Sequence, residues 1–398
     1  MSLRRVLGVK EEFITDSNQA VEFKMIRHAN DLSNDSGVFK PDMSHQIFGD
    51  DEQIYGYENL LIKLYYSAAN LTTYLGVEYK DRLDDAVPAN IEKTLADKYE
   101  CSNFITNIDE FGRILEKEKN FNPFGELLNS FTINDNDSFR TFCVYKCTTD
   151  SKEFLEYHAK MQTFVLWFID AASFINTEDS YWKFYVMYEK YKSADNTPQY
   201  AFVGYFTVYE FYFYPDKIRP RISQALILPP FQGMGLCAKL INTVQMHYAS
   251  MREVFDITVE DPAIDFQRVR DYVDCSNCLH LSSFSSEKLI RGFHSDMAEE
   301  AREKYKINKK QARRIYEILR LNITNIHNEA EYKEYRLDVK KRLYAPFQRQ
   351  NSILIKTNQA HLIENKEERL TKLQELFNEL SEEYTKVLDR VLEYPLNS

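Results

Sequence analysis

The sequence predicts an α+β protein: an N-terminal α/β domain, a central mixed but mainly antiparallel sheet flanked by helices, and a helical C-terminal region ending in a heptad tail. Three observations carry this. Runs rich in Tyr, Phe and Val, at strand-like length, cluster in the middle of the chain. A glycine turn separates the last long run from an amphipathic helix. Beyond Asp261 the apolar residues recur at helical intervals among many charges.

In chain order, Val21 to Ile26 reads as a strand, and Leu60 to Ser67 with Leu71 to Tyr79 as a hairpin. Asn90 to Tyr99 and Asp109 to Lys119 have helical spacing, and Asn122 to Gly125 punctuates the end of a first domain. Phe139 to Lys146 alternates enough for a strand, and Glu153 to Phe174 reads as a helix. Phe184 to Tyr191, Tyr200 to Tyr214 and Arg221 to Leu228 follow as strands, stopped by Pro229 and Pro230. Leu236 to Tyr248 is a helix with Leu240, Val244 and Tyr248 on one face, and Val254 to Val259 a short strand. In the tail, Leu370, Leu373, Phe377, Leu380, Tyr384, Val387 and Val391 alternate spacings of three and four, an a/d seam that either recruits a partner or packs back. The expected domains are 1–122, 123–260, 261–346 and 347–398.

Composition narrows the classes. A chain of 398 residues exceeds one typical core, and 27 Tyr with 27 Phe against 11 Gly and 11 Pro fit packed structure. The 50 Lys and Arg against 61 Asp and Glu give a net charge of -11, which disfavours sequence-independent nucleic-acid binding and suits a basic partner. Cys101, Cys143, Cys147, Cys237, Cys275 and Cys278 lack the density of a disulfide scaffold, so a reducing compartment is expected. No apolar signal segment opens the chain and no 18-residue apolar run occurs, so a soluble intracellular protein without membrane contact is expected.

The residues Gln232, Gly233, Met234, Gly235, Leu236, Cys237 and Ala238 lie between a strand and a helix. Glycines there admit close backbone approach, and the first N–H groups of the helix have no partner within it, so an anion such as a pyrophosphate fits. A plain tight turn is the alternative. A Walker loop would need Gly-Lys-Ser/Thr, and a Rossmann fingerprint a third glycine in a parallel βαβ unit; both are absent, which leaves coenzyme A.

Glu260 ends the strand after the glycine helix. If an acyl group passes from coenzyme A to an amine, which must be neutral to attack, a carboxylate there can serve as base, while the plainer reading of the residues has Glu260, Asp261 and Pro262 open the next helix. A backbone N–H near Leu226 or Ile227 is the geometric candidate for the oxyanion. Asp50, Asp51 and Glu52, with Tyr55 and Tyr57 behind them, form an acidic turn that is either solvated or a contact for a basic peptide.

Other constellations read as structural. Cys275, Cys278 and His280 lack the second ligand pair of a zinc site, Cys143 and Cys147 read as strand thiols, and no metal is expected. Cys237 has no neighbouring His base and reads as a packed side chain rather than an acyl carrier. Lys309, Lys310, Arg313 and Arg314 form a basic stripe, read as a solvated helix face, with nuclear import or a phosphate contact as alternatives.

The run RPRISQALILPPFQGMG from Arg219 to Gly235 resembles the acetyl-CoA motif of Gcn5-related acetyltransferases, and specifically of the histone acetyltransferase type B catalytic subunit. HQIFGDDE from His45, FVLWFIDAASF from Phe164, YPDKIR from Tyr214, EDP from Glu260 and KINKKQARRIYEILR from Lys306 are similar to that family as well, in order, from about Val21 to about Pro346.

The resemblance implies acetyl-CoA as cosubstrate on Gln232 to Ala238, with Ala225, Leu226 and Ile227 against its acetyl and pantetheine end. It implies Glu260 as general base, with Asp261 and Asp170 as further acids, although Asp170 is shorter than the glutamate usual there. Asp50, Asp51, Glu52, Trp182, Tyr209, Glu210 and Phe211 would contact the histone tail; Glu210 replaces an amide, and Cys237 a glycine or alanine. The implied substrate is free histone H4, at lysines five and twelve of its tail, together with H3 as a histone complex. A WD40-propeller histone-binding subunit is the implied partner, direct DNA binding is not expected, and the implied location is cytoplasm and nucleus. An acetyltransferase of another amine, or a non-catalytic histone-binding scaffold, are the alternatives.

Overall fold

The computed structural model describes residues 10–34, 36–83, 89–100, 104–135, 138–193, 195–359, 365–394 and 396; Cys101 and residues 1–9 lie outside them. The chain divides into two units, Met1–Glu210 with Ile222–Leu236, and Phe211–Arg221 with Cys237–Ser398.

The first unit holds two sheets. The N-terminal sheet contains β1 (Val21–Ile26), β2 (Val38–Phe39), β3 (Leu61–Ser67) and β4 (Thr73–Glu78) in the order β2-β1-β3-β4. β3 and β4 form the expected antiparallel hairpin, with Leu64 opposite Leu75, while β1 runs parallel to β3 with Phe23 opposite Leu64. Helices α1 (Ile91–Tyr99) and α2 (Ile108–Lys117) start where Asn90 and Asn107 accept the N–H of Lys93 and Glu110, the usual N-cap chemistry. Phe111 and Leu115 of α2 pack with Ile26, Tyr65 and Tyr74.

The central sheet begins with β5 (Glu126–Asp135) and β6 (Ser138–Thr148), followed by helix α3 (Lys152–Met161). It continues through β7 (Trp182–Lys192), β8 (Pro198–Phe213) and β9 (Lys217–Ile227), in the order β5-β6-β7-β8-β9. The β5–β6, β6–β7 and β7–β8 pairs are antiparallel. Phe184, Tyr185, Val186, Met187 and Tyr188 of β7 are fully buried, as are Phe202, Val203, Tyr205 and Phe206 of β8. Such a strand, buried on both faces, reads as a continuous apolar run rather than an alternation.

The second unit is nearly all helix: α4 (Leu236–Ala249), then after the short strand β10 (Thr258–Val259) α5 (Ile264–Cys278), α6 (Ser295–Tyr305), α7 (Lys309–Ile323), α8 (Glu329–Lys356) and α9 (Lys366–Glu393). On α7, Ala312, Ile315, Tyr316, Ile318 and Leu319 are buried, together with one carboxylate, Glu317. That carboxylate accepts hydrogen bonds from Arg313 at 2.9 Å, from Arg342 at 2.7 Å through both oxygens, and from the Tyr384 hydroxyl at 2.9 Å. It ties α7, α8 and α9 together. The tail seam therefore packs back: Leu373, Phe377, Tyr384, Val387 and Val391 are buried and α9 touches α5, α7 and α8, while Leu370 is exposed.

Four expectations are corrected. β5 went unread because it is largely exposed and polar, and only pairing with β6 makes it a strand. The helix expected from Glu153 to Phe174 is broken and short: α3 ends at Met161, and a 3-10 turn (Gln162–Phe164) and one short helix (Val165–Phe168) follow. Ala171 adopts φ 54°, and the side-chain amides of Gln46 and Gln224 bond the carbonyls of Ala172 and Ser173 at 2.8 Å each. Tertiary capture overrides helical propensity there. The strand expected from Val254 shrinks to Thr258–Val259, because the Phe255 N–H bonds the Ile218 carbonyl and the Ile257 N–H that of Lys306. The basic stripe is not one solvated face, since Arg314 binds the buried Asp271 at 2.6 Å and Arg313 binds Glu317.

His158 on α3 is buried with its ring 4.5 Å from that of Phe184, and no hydrogen-bond partner reaches its Nε2 among the described residues. Burial pushes its pKa down from 6.5 to about 4. The unfolded chain thus binds the extra proton between those values, so stability is full above about pH 6.5 and is lost as pH falls toward 4, by about 3 kcal/mol at most. His158→Phe is expected to flatten that part of the acid limb in urea-unfolding free energies measured from pH 7 to pH 4; an unchanged slope contradicts the assignment.

Candidate functional site

In the first unit the site is organised by how β9 meets β8. Between β7 and β8 the register steps from Met187 opposite Gly204 to Tyr188 opposite Phe202, so Val203 is an extra, bulged residue. Its carbonyl accepts the Leu228 N–H at 2.9 Å. At Gly204 a Cβ would stand 2.2 Å from the Leu226 carbonyl oxygen and 2.8 Å from the Ile227 Cα, so only glycine allows this approach. Ala225, Leu226 and Ile227, the residues expected at the acetyl end of the cofactor, are thereby fixed at the end of β9.

The chain then makes one helical turn, Pro229–Phe231, and enters the glycine turn. The Gln232 side-chain amide donates to the Ile227 carbonyl at 2.9 Å, closing the turn onto the strand end. Gly233 and Gly235 have φ of 77° and 76°, and a Cβ on Gly233 would meet nothing within 4 Å. Backbone here is thus presented to open space, and α4 starts at Leu236 with first-turn N–H groups that no helical carbonyl can accept. Met234 rests on Arg140, whose guanidinium lies 3.5 Å from the sulfur and 5.5 Å from the Phe231 ring centroid. Arg140 is itself clamped by Glu189, at 2.9 Å through both oxygens, and by Asp135 at 3.1 Å. Local sequence could not reveal Arg140, which lies far from the turn in the chain.

Leu236 and Ala238 of α4 are buried. At Cys237 burial pushes the thiol up to about 12, against a smaller opposing effect of Arg390, so at neutral pH the sulfur carries its proton and is no nucleophile. Burial also holds the Cys275 and Cys278 thiols well above their ordinary value, and among the described residues no group of three or more His, Cys, Asp and Glu side chains could hold a metal.

Two of the expected acids of the first unit, Asp170 and Glu52, meet on His45. Its Nε2 lies 3.2 Å from Asp170, and its Nδ1 3.7 Å from Glu52. Glu52 also accepts the Ser44 N–H at 2.7 Å, the His45 N–H at 3.0 Å and the Asn18 amide at 2.8 Å. The Ser44 bond is the largest of the effects that hold its carboxyl below the usual range, with burial opposing. Glu52 therefore shapes the turn, and the exposed Asp50 and Asp51 present its charge.

The loop after Phe168 brings these pieces together. Gln46, beside His45, bonds Ala172; Gln224, beside Ala225, bonds Ser173; and the Tyr209 hydroxyl donates to Asp179 at 2.9 Å. Trp182 stands opposite Tyr209 across β7 and β8, with ring centroids 5.0 Å apart at 74°. Glu210 pairs with Lys183 at 3.7 Å.

In the second unit, Glu260 and Asp261 follow β10 directly, are exposed, and line a cavity of 530 Å³ with Thr258, Arg270, Lys310 and Arg314. Asp261 takes φ 30°, a conformation unusual for a residue with a side chain, so no helix starts there; α5 begins at Ile264. The alternative role of Glu260 to Pro262 as a helix opening is thereby set aside. Arg270 and Arg314 are paired with Asp274 and Asp271. On Phe211 the Arg221 guanidinium stacks at 4.6 Å from the ring centroid.

A bulge in β8, with the end of β9 feeding a two-glycine turn and a helix, is the arrangement expected of an acetyltransferase. The comparisons name the kind. Residues 13–170 match the family described as Histone acetyl transferase HAT1 N-terminus, and residues 270–321 match Histone acetyltransferase type B catalytic subunit, C-terminal. The histone acetyltransferase type B catalytic subunits of Mus musculus and Homo sapiens are each 42% identical to this chain, over 96% of it and 94% of their own length. That of Cryptococcus neoformans var. neoformans serotype D is 34% identical over 84% of this chain and 89% of its own. The chain belongs to the family of histone acetyltransferase type B catalytic subunits.

A side chain at Gly233 has room in the protein but a strained backbone, at a cost of about 1–2 kcal/mol. Gly233→Val is expected to raise the KM for acetyl-CoA by about tenfold or more with kcat for bound substrate less affected. A fall in Tm with KM unchanged would make the glycine a plain turn residue.

Proposed function

We propose that this enzyme acetylates lysines five and twelve in the tail of free, newly synthesised histone H4, presented with H3, by direct attack in a ternary complex. The observation that carries the reading is the 42% identity, along 96% of the chain, to enzymes named for histone acetylation. The net charge of -11 and the exposed Asp50 and Asp51 favour a Lys- and Arg-rich peptide.

Acetyl-CoA would place its pyrophosphate on Gln232 to Ala238, where two left-handed glycines and the start of α4 offer N–H groups, and its thioester beside Ala225 to Ile227. A backbone N–H near Leu226 or Ile227 would donate to the oxyanion. Glu260 takes the proton from the lysine ammonium; the neutral nitrogen attacks the thioester carbon, the C–N bond forms, the C–S bond breaks, and the coenzyme leaves as a thiolate that is then protonated. Asp261 follows Glu260 in the chain and Asp170 is held by His45; both are proposed as auxiliary acids. Asp50, Asp51 and Glu52 with Trp182, Tyr209, Glu210 and Phe211 would hold the tail by charge pairing and ring contacts. A WD40-propeller histone-binding subunit as partner, and work in both cytoplasm and nucleus, belong to the same reading.

With acetyl-CoA and a panel of tail peptides, mass spectrometry is expected to show the H4 peptide modified first, and Glu260→Gln to lower kcat by about 10²- to 10⁴-fold with KM little changed. A faster reaction with polyamines or protein N-termini would sink the substrate claim, and a wild-type rate for the variant would remove Glu260 as base.

A further inference from the structure

The second unit contains a larger cavity, of 880 Å³, whose lining carries Lys309, Lys310, Arg313, Lys341, Arg342 and Arg349 against one acid, Asp338. The acid does not balance them. Its Oδ1 is 2.9 Å from Arg313 and its Oδ2 accepts the Tyr316 hydroxyl at 2.9 Å. Arg313 and Arg342 are further matched by the buried Glu317. Lys309, Lys310, Lys341 and Arg349 are left with no ion pair among the described residues, four cations around one hollow in a chain of net charge -11.

We propose that this cavity binds a small molecule carrying several linked phosphates. Its size is that of small-molecule sites. Lys341, Ala345 and Arg349 recur every four residues along α8, so the two cations stand on one helical face about 12 Å apart. With Lys309 and Lys310 on α7 as further cations around the same hollow, several linked phosphates match this spread of charge better than a single one. Phe293, Ala345 and Pro346 give the hollow an apolar wall, and Arg313 is stacked 5.4 Å from the Phe293 centroid, which keeps that guanidinium turned to the ring. A nucleic-acid strand is disfavoured, since it needs an extended basic track and this chain is acidic outside the hollow. Lys310 and Arg342 also line the cavity that holds Glu260, whereas Lys341 and Arg349 do not.

The test is isothermal titration of the full chain with sodium tripolyphosphate, with coenzyme A at saturation so that the glycine turn cannot take the probe. One site of micromolar Kd is expected. Lys341→Glu with Arg349→Glu, both on exposed positions outside the Glu260 cavity, is expected to weaken binding by about tenfold or more while Tm and kcat stay at wild-type values. Lys341→Gln alone is expected to weaken it less. No tripolyphosphate binding by the wild type, equal affinity in the double variant, or binding of a polyglutamate peptide or an RNA oligonucleotide in place of tripolyphosphate, would each overturn the proposal.

Discussion

The close approach of β9 to Gly204 is the contact on which the candidate site of the first unit depends. With 2.2 Å between a hypothetical Cβ and the Leu226 carbonyl oxygen, no other residue type lets the two backbones meet in this way. The bulge at Val203 then supplies the carbonyl that holds Leu228, so β9 ends where it does because β8 is locally one residue too long. Pro229, Gln232 and the two left-handed glycines turn a fixed strand end into a helix start. Arg140 braces that turn from below through Phe231 and Met234, and Glu189 braces Arg140.

The second unit solves a different problem with a buried charge. An uncompensated carboxylate inside a helical core costs several kcal/mol, and Glu317 avoids that by gathering Arg313, Arg342 and Tyr384 from three helices. This arrangement closes the tail onto the unit and, with Asp338, pairs two of the six cations around the large hollow. The other four, Lys309, Lys310, Lys341 and Arg349, have no ion pair among the described residues. Glu317 and Asp338 thus separate structural cations from those available to a ligand.

What could be read from sequence follows the range of the interactions. The helices α7 and α9 and the β3–β4 hairpin are written in local periodicity, and the glycine turn in its own residues, so each was legible. The loop from Ile169 was not, because Gln46 and Gln224, distant in the chain, hold Ala172 and Ser173 in a non-helical path. Gly204 and Arg140 were silent for the same reason: a glycine in an aromatic strand and an arginine in a polar one acquire meaning only when β9 and the turn arrive. Glu52 was legible as an acid but not as the group that receives the N–H groups of Ser44 and His45.

Coenzyme A affinity of the Gly204→Ala chain, by isothermal titration beside the wild type, tests most directly whether the β8–β9 approach sets the cofactor turn. A variant that still melts cooperatively is expected to bind coenzyme A about tenfold more weakly or worse. An unchanged Kd in such a variant would contradict the account.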